Sequence, residues 1–128
     1  MTPEERGERV YDLYKRGTAL LEARDYHSAT IPLEQAAALE PDKTSIREAL
    51  GRAYFRSGHF EEAREEFAAV VELAPTNDYA LFCLGRALLI LGRAPEARRP
   101  LALAARMRPD RRDYRIYRDR ARASAPSG

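Results

Sequence analysis

A chain of 128 residues, 45% of them apolar, is one domain's worth and buries roughly 68% of its unfolded surface without needing disulfides. Its single cysteine, Cys83, excludes an internal disulfide, and no apolar run approaches the ~20 residues that span a bilayer. The net charge of +2 is unevenly divided: residues 1–97 sum to −5, whereas residues 98–128 carry ten arginines against three aspartates and sum to +7.

One spacing organises the chain. Gly17, Gly51 and Gly85 lie 34 residues apart, as do Ala19, Ala53 and Ala87, then Ala29, Ala63 and Ala97, then Pro41, Pro75 and Pro109. Aligning these columns gives units at 10–43, 44–77 and 78–111, preceded by a leader and followed by a tail.

In chain order, the start MTPEERGERV lacks the apolar core of a signal peptide, so a cytoplasmic location is expected. Thr2-Pro3-Glu4-Glu5 reads as an N-cap, a first-position proline and a capping-box glutamate, which predicts a helix from Pro3 and a helical extension over 1–9. In the first unit Leu13, Leu20 and Ala23 mark an inward face, and Tyr26, Ala29, Leu33 and Ala36 mark a second helix. Ser28 is read as the cap of that helix, which places Pro32 in its opening turn, where a missing N–H costs little.

The middle unit has Ile46, Leu50, Ala53, Tyr54 and Ser57 at helical spacing, then a break at Gly58-His59. A second helix runs from about Phe60 to Ala74 on a stripe of Phe60, Ala63, Phe67, Val70 and Val71, and Pro75 stops it. The third unit repeats this with Leu84, Leu88 and Leu91, a break at Gly92, and Ala97, Leu101, Ala104 and Met107. Pro95 suits a first turn, so Pro100 falls inside the helix and predicts a bend. Last, DRRDYRIYRDRARA predicts a basic helix over 112–123 whose Tyr114, Tyr117 and Ala121 share a face and cap the final unit. Residues 124–128 are expected to be disordered.

Leu50-Gly51, Ala53-Tyr54, Gly58, Phe60, Ala63, Phe67 and Pro75 together resemble the pattern of the tetratricopeptide repeat family. Leu84-Gly85, Ala87-Leu88, Gly92, Ala97, Leu101 and Pro109 resemble it again. The first unit departs most, with Arg16 in the leucine column and Arg24 in place of the turn glycine, and the early large apolar column holds Leu13, Arg47 and Leu81. The resemblance spans about 102 of 128 residues. It implies an all-α fold: a right-handed α-solenoid of three helix-turn-helix repeats with a C-terminal capping helix.

It also implies where a partner binds. In that family the first helix of each repeat lines a concave groove with the face opposite its packing stripe. Those columns hold Tyr11, Tyr14 and Thr18 in the first unit, with Leu21 and Glu22 beyond them. They hold Ser45, Glu48, Arg52, Phe55 and Arg56 in the second, and Tyr79, Phe82 and Arg86, with Leu89 and Ile90, in the third. Aromatic residues with arginine are what interface centres favour. The expected partner is therefore another protein, contributing a peptide or helical segment whose carboxylates meet the arginines. Self-association is a variant of the same expectation. The carboxylate clamp of chaperone-binding members falls on Tyr14, Thr18, Ala49, Tyr79 and Cys83 here; none matches, so a chaperone-tail adaptor is not expected.

Catalysis finds no constellation. His27 and His59 occupy different columns and are not expected to stack on one face, and no His-Glu spacing or second cysteine suggests a metal. The glycines follow the repeat rather than a phosphate loop, Cys83 reads as packing, and the Glu61-Glu62 and Glu65-Glu66 cluster reads as a solvated helix face. No enzyme activity, metal or cofactor is expected. The competing function is nucleic-acid or acidic-surface binding through the arginine-rich tail, with Tyr114 and Tyr117 as stacking groups. It ranks second, because arginine outnumbers lysine 20 to 2 along the whole chain and Asp110, Asp113 and Asp119 dilute the tail's field.

Overall fold

The computed structural model describes residues 1–124 and is helical throughout, with no strand among the described residues. Its helices are α1 (Pro3–Glu22), α2 (Tyr26–Leu39), α3 (Thr44–Arg56), α4 (Phe60–Leu73), α5 (Asp78–Ile90), α6 (Ala94–Met107) and α7 (Arg112–Ala123). Of the tail expected to be disordered, all but Ser124 lies outside the described residues. Among the described residues no helix is long and apolar enough to cross a membrane. The chain forms two compact units, Met1–Glu66 and Phe67–Gly128, with α4 running across the boundary.

In the first unit α1 starts where its sequence predicts: Thr2 Oγ1 accepts the Glu5 N–H at 3.1 Å, and Pro3 is the first helical residue. Val10, Leu13, Gly17 and Leu21 recur every three or four residues and are buried, packing with Ala29, Leu33 and Ala36 of α2 and with Ile46, Leu50 and Ala53 of α3. The register corrects the sequence reading. Leu21 is buried to 7% exposure, while Ala23, past the helix end, is exposed. Gly17 sets the spacing of α1 and α2, since a Cβ there would sit 2.5 Å from Leu33 Cγ.

The turn after α1 is tight: the Asp25 N–H donates to Leu20 O at 2.9 Å, with Arg24 in the left-handed region at φ 62°. The equivalent turns use Gly58 at φ 84° and Gly92 at φ 76°, with His59 N–H donating to Tyr54 O and Arg93 N–H to Leu88 O, each at 2.8 Å. Because this turn launches α2 at Tyr26, with Asp25 at the cap position, Ser28 is not the cap. Pro32 stands inside the helix and is buried, and α2 continues through it although proline offers no N–H to the Ser28 carbonyl.

Arg47, in the column that holds Leu13 and Leu81, is half-buried and fully engaged. Its Nη1 donates to Glu66 Oε2 at 2.8 Å and its Nε donates to the Pro41 carbonyl. Glu66 in turn occupies the column of Pro32 and Pro100. The middle repeat thus carries an ion pair in the two columns where its neighbours carry leucine and proline.

The second unit packs α5 against α6 and covers both with α7. Asn77 Oδ1 caps α5 by accepting the Ala80 N–H at 3.0 Å. Ala80, Leu81, Cys83, Gly85, Ala87 and Leu88 are buried on α5, against Ala97, Leu101 and Ala104 of α6. At Gly85 an added Cβ would fall within contact distance of the Leu101 side chain, as at Gly17 and Leu33. Helix α6 is unbroken from Ala94 to Met107, so Pro100 does not divide it. Met107, expected inside, is 39% exposed at the C-terminal end of α6. Tyr114 anchors α7: it is fully buried, and its hydroxyl donates to Asp78 Oδ2 at 2.8 Å. Arg98 closes the far end, its Nε and Nη2 donating to the Ala121 and Ser124 carbonyls, both at 3.1 Å.

Candidate functional site

In the first unit the expected site residues fall on α1 and α3. Tyr11 is 62% exposed, with Lys15 Nζ 5.8 Å from its ring centroid. Tyr14 is half-buried against the core, and Thr18 turns its hydroxyl back to donate to Tyr14 O at 3.0 Å. Arg52 is exposed; Phe55 is half-buried, edge-on to Phe60 at 5.2 Å; and the Arg56 guanidinium lies 4.7 Å over the Tyr26 ring. The surface is therefore a mixture of presented side chains (Tyr11, Arg52, Arg56) and side chains that serve their own fold (Tyr14, Thr18).

His27 and His59 correct the sequence reading: their rings stack at 5.8 Å with an interplanar angle of 23°. One stands at the start of α2 and the other in the turn before α4, and packing of successive repeats brings them together. His59 Nδ1 lies 3.0 Å from Ser57 Oγ, and its ring tilts against Tyr54 at 6.2 Å. Burial first, and then the hydrogen bond it donates to Glu34, raise the Tyr54 phenol well above its ordinary range. Among the described residues no three His, Cys, Asp or Glu side chains gather closely enough to hold a metal.

In the second unit the expected residues part company. Tyr79 is half-buried. Phe82 is only 4% exposed, stacked on Tyr114 at 4.5 Å and edge-on to Tyr117 at 5.4 Å. It belongs to the core beneath α7 and is not a surface a partner can touch. Arg86 lies 5.0 Å over the Tyr117 ring, and Arg120 lies 4.7 Å over the same ring. Beside them lies an open cleft of about 470 Å³ lined by Arg86, Leu89, Ile90, Tyr117, Arg120, Ala123 and Ser124. Arg120 was not legible as a site residue; its only sequence signal is the three-residue step from Tyr117.

Much of the basic charge at this end of the chain is already paired. Arg108 bonds Asp110 at 3.1 Å, Arg111 bonds Asp113 at 2.8 Å and Arg118 bonds Asp119 at 2.9 Å, and these hydrogen bonds hold all three carboxyls below the usual range.

The chain matches the tetratricopeptide repeat family over residues 14–78 and again over 48–114. It is 31% identical to Superkiller complex protein 3 of Mus musculus over 96 residues, which is 75% of this chain and 6% of that protein. The chain thus spans only a small fraction of that relative. In fold it resembles the Arabidopsis OM64 TPR domain, with a TM-score of 0.87 at 18% identity over 94% of this chain and 99% of that one. The second TPR domain of human RPAP3, in complex with the HSP70 peptide SGPTIEEVD, gives 0.84 at 16% identity over 93% and 99%. The Yersinia enterocolitica type III secretion chaperone SycD, in complex with a peptide of the translocator YopD, gives 0.74 at 16% identity over 91% and 88%.

Proposed function

The chain belongs to the tetratricopeptide repeat family, and on that footing we propose that it is a protein-binding adaptor rather than an enzyme, acting in the cytoplasm without a cofactor. Its ligand is a peptide or helical segment of a partner protein, taken up on the exposed faces of the repeats' first helices. The observation that carries this reading is the presentation of Tyr11, Arg52 and Arg56 at the surface of α1 and α3. Aromatic and guanidinium groups bury much area on binding, and an aromatic ring, with two side-chain torsions, loses little freedom in doing so. That RPAP3 and SycD hold peptides on the same fold supports it. A second copy of the chain is one such partner.

The test is a nuclease-treated pull-down from host extract, comparing wild type with a Tyr11→Ala, Arg52→Ala, Arg56→Ala variant whose folding is checked by circular dichroism. A protein retained by wild type and lost from the folded variant supports the adaptor. Equal retention by both moves binding off this face. The basic-tail alternative draws on Arg112, Arg115 and Arg122 of α7. It predicts retention that nuclease abolishes, with a steep salt dependence that Arg112→Gln, Arg122→Gln flattens.

A further inference from the structure

His27 and His59 are the chain's two histidines, and the first unit brings their rings together. Both are exposed, so an ion reaches them directly from solution. Their backbones are fixed: His27 is the second residue of α2, and in the turn before α4 the His59 N–H donates to Tyr54 O at 2.8 Å. The hydrogen bonds around His59 also choose its tautomer. Ser57 Oγ has one proton and two carbonyls within reach, Ala53 O at 2.7 Å and Tyr54 O at 3.1 Å. With that proton on a carbonyl, the same oxygen can only accept from His59 Nδ1, 3.0 Å away. Nδ1 therefore carries the ring hydrogen, and Nε2 keeps its lone pair. A metal-ligating histidine is prepared in this way, its second nitrogen donating to a neighbouring oxygen and so raising the basicity of the first.

The spacing fits as well. Metal–nitrogen bonds of ~2.1 Å set the centroids of two imidazoles on one tetrahedral ion about 5 Å apart. The two rings stand 5.8 Å apart with 23° between their planes, so closure by about 1 Å and a turn of one ring complete the pair. His27 can make that turn, because its ring is exposed and hydrogen-bonded to nothing among the described residues. Glu34 and Glu62 both act electrostatically on Tyr54, whose ring lies 6.2 Å from that of His59, and their field favours a cation. No group of three potential ligands forms among the described residues, so water fills the remaining coordination positions.

We infer that His27 and His59 form a two-histidine site for a divalent transition-metal ion of the kind imidazole prefers, Zn²⁺ or its neighbours Ni²⁺ and Cu²⁺. The ion staples the start of α2 to the turn before α4, and so ties the first repeat to the second. It stabilises the fold and takes no part in peptide contacts, so the inference stands apart from the adaptor reading.

The test titrates Zn²⁺ into the untagged full chain at neutral pH, by calorimetry and by the Cε1–H NMR resonances of the two histidines. One ion per chain is expected, with both resonances moving on a single saturation curve and a urea midpoint raised by saturating Zn²⁺. His27→Gln and His59→Gln, both at exposed positions and checked for folding by circular dichroism, each weaken binding by about a hundredfold. Ser57→Ala leaves both ligands in place and weakens it by about tenfold, while Ser57→Thr, which keeps the hydroxyl, binds as wild type does. Wild-type affinity in either histidine variant overturns the site, as does a shift confined to one resonance or the absence of saturation at millimolar Zn²⁺. A zinc-dependent dimer in sedimentation overturns it too, because the two histidines would then come from different chains.

Discussion

The first helix of a repeat presents the same columns in both units, and the second unit covers them more deeply. Tyr11 on α1 is 62% exposed where its column-mate Tyr79 on α5 is half-buried, and Tyr14 on α1 is half-buried where its column-mate Phe82 is 4% exposed beneath Tyr114 and Tyr117 of α7. A column in a repeat fixes the direction of a side chain along its own helix. What covers that direction depends on the next element: α7 brings Tyr114 and Tyr117 onto Phe82, where α3 carries Ile46 and Ala49 in the corresponding columns. The outward face is thus more open in the first unit than in the second.

The strongest way to break the contrast is Tyr114→Ala. It removes a fully buried aromatic side chain and is expected to cost about 3–5 kcal/mol, read as a lower urea midpoint, whereas Tyr11→Ala should move it by less than about 0.5 kcal/mol. Tyr114→Phe keeps the ring and loses the bond to Asp78, for about 1 kcal/mol.

The same hydroxyl sharpens the comparison through pH. Burial first, and then its bond to Asp78, raise the Tyr114 phenol; burial and Glu34 do the same to Tyr54. A folded pKa above the unfolded value of about 10 means stability that is fully present below pH ~10 and is lost as pH climbs toward the raised value. Wild type should therefore lose urea resistance as pH rises above about 10, and Tyr114→Phe should lose less over the same interval.

The two units agree at Gly17 and Gly85, and the next prediction tests that agreement. Gly85→Ala drives a methyl into Leu101 and is expected to cost about 1–3 kcal/mol, as should Gly17→Ala against Leu33. Trimming Leu101 to Val in the Gly85→Ala background should recover part of the loss, as a double-mutant cycle would measure. The smallest effect runs the other way. Arg24 holds a left-handed conformation that Gly58 and Gly92 hold without strain, so Arg24→Gly should stabilise the fold by about 0.5–1 kcal/mol.

The fold was legible because its signal is repeated: four columns at one spacing place helices and turns without reference to neighbours. The capping helix was legible from Tyr114, Tyr117 and Ala121 on one face, two of which are buried. Other features depend on what packs next, and there the sequence was silent or misleading. Phe82 carried the pattern of a groove residue and lies under α7. The histidines differ in column number, yet their rings stack across consecutive repeats. Ser28 has the chemistry of a cap, but the turn at Arg24 had already set the start of α2. At the candidate site the arginines and tyrosines were visible singly; the sharing of the Tyr117 ring by Arg86 and Arg120 requires α5 and α7 to be side by side.

The ion pair of Arg47 and Glu66 bears on how such a chain is inherited. Its two columns lie 19 residues apart within one repeat, as do Leu13 and Pro32 or Leu81 and Pro100. Duplication or recombination at a repeat boundary therefore passes on a matched pair, charged or apolar, and the descendant folds. A crossover inside a repeat sets a half-buried guanidinium against proline, or a carboxylate against leucine, and leaves a charge without its counterpart. Exchange of whole repeats is therefore the kind of rearrangement that keeps this pair intact.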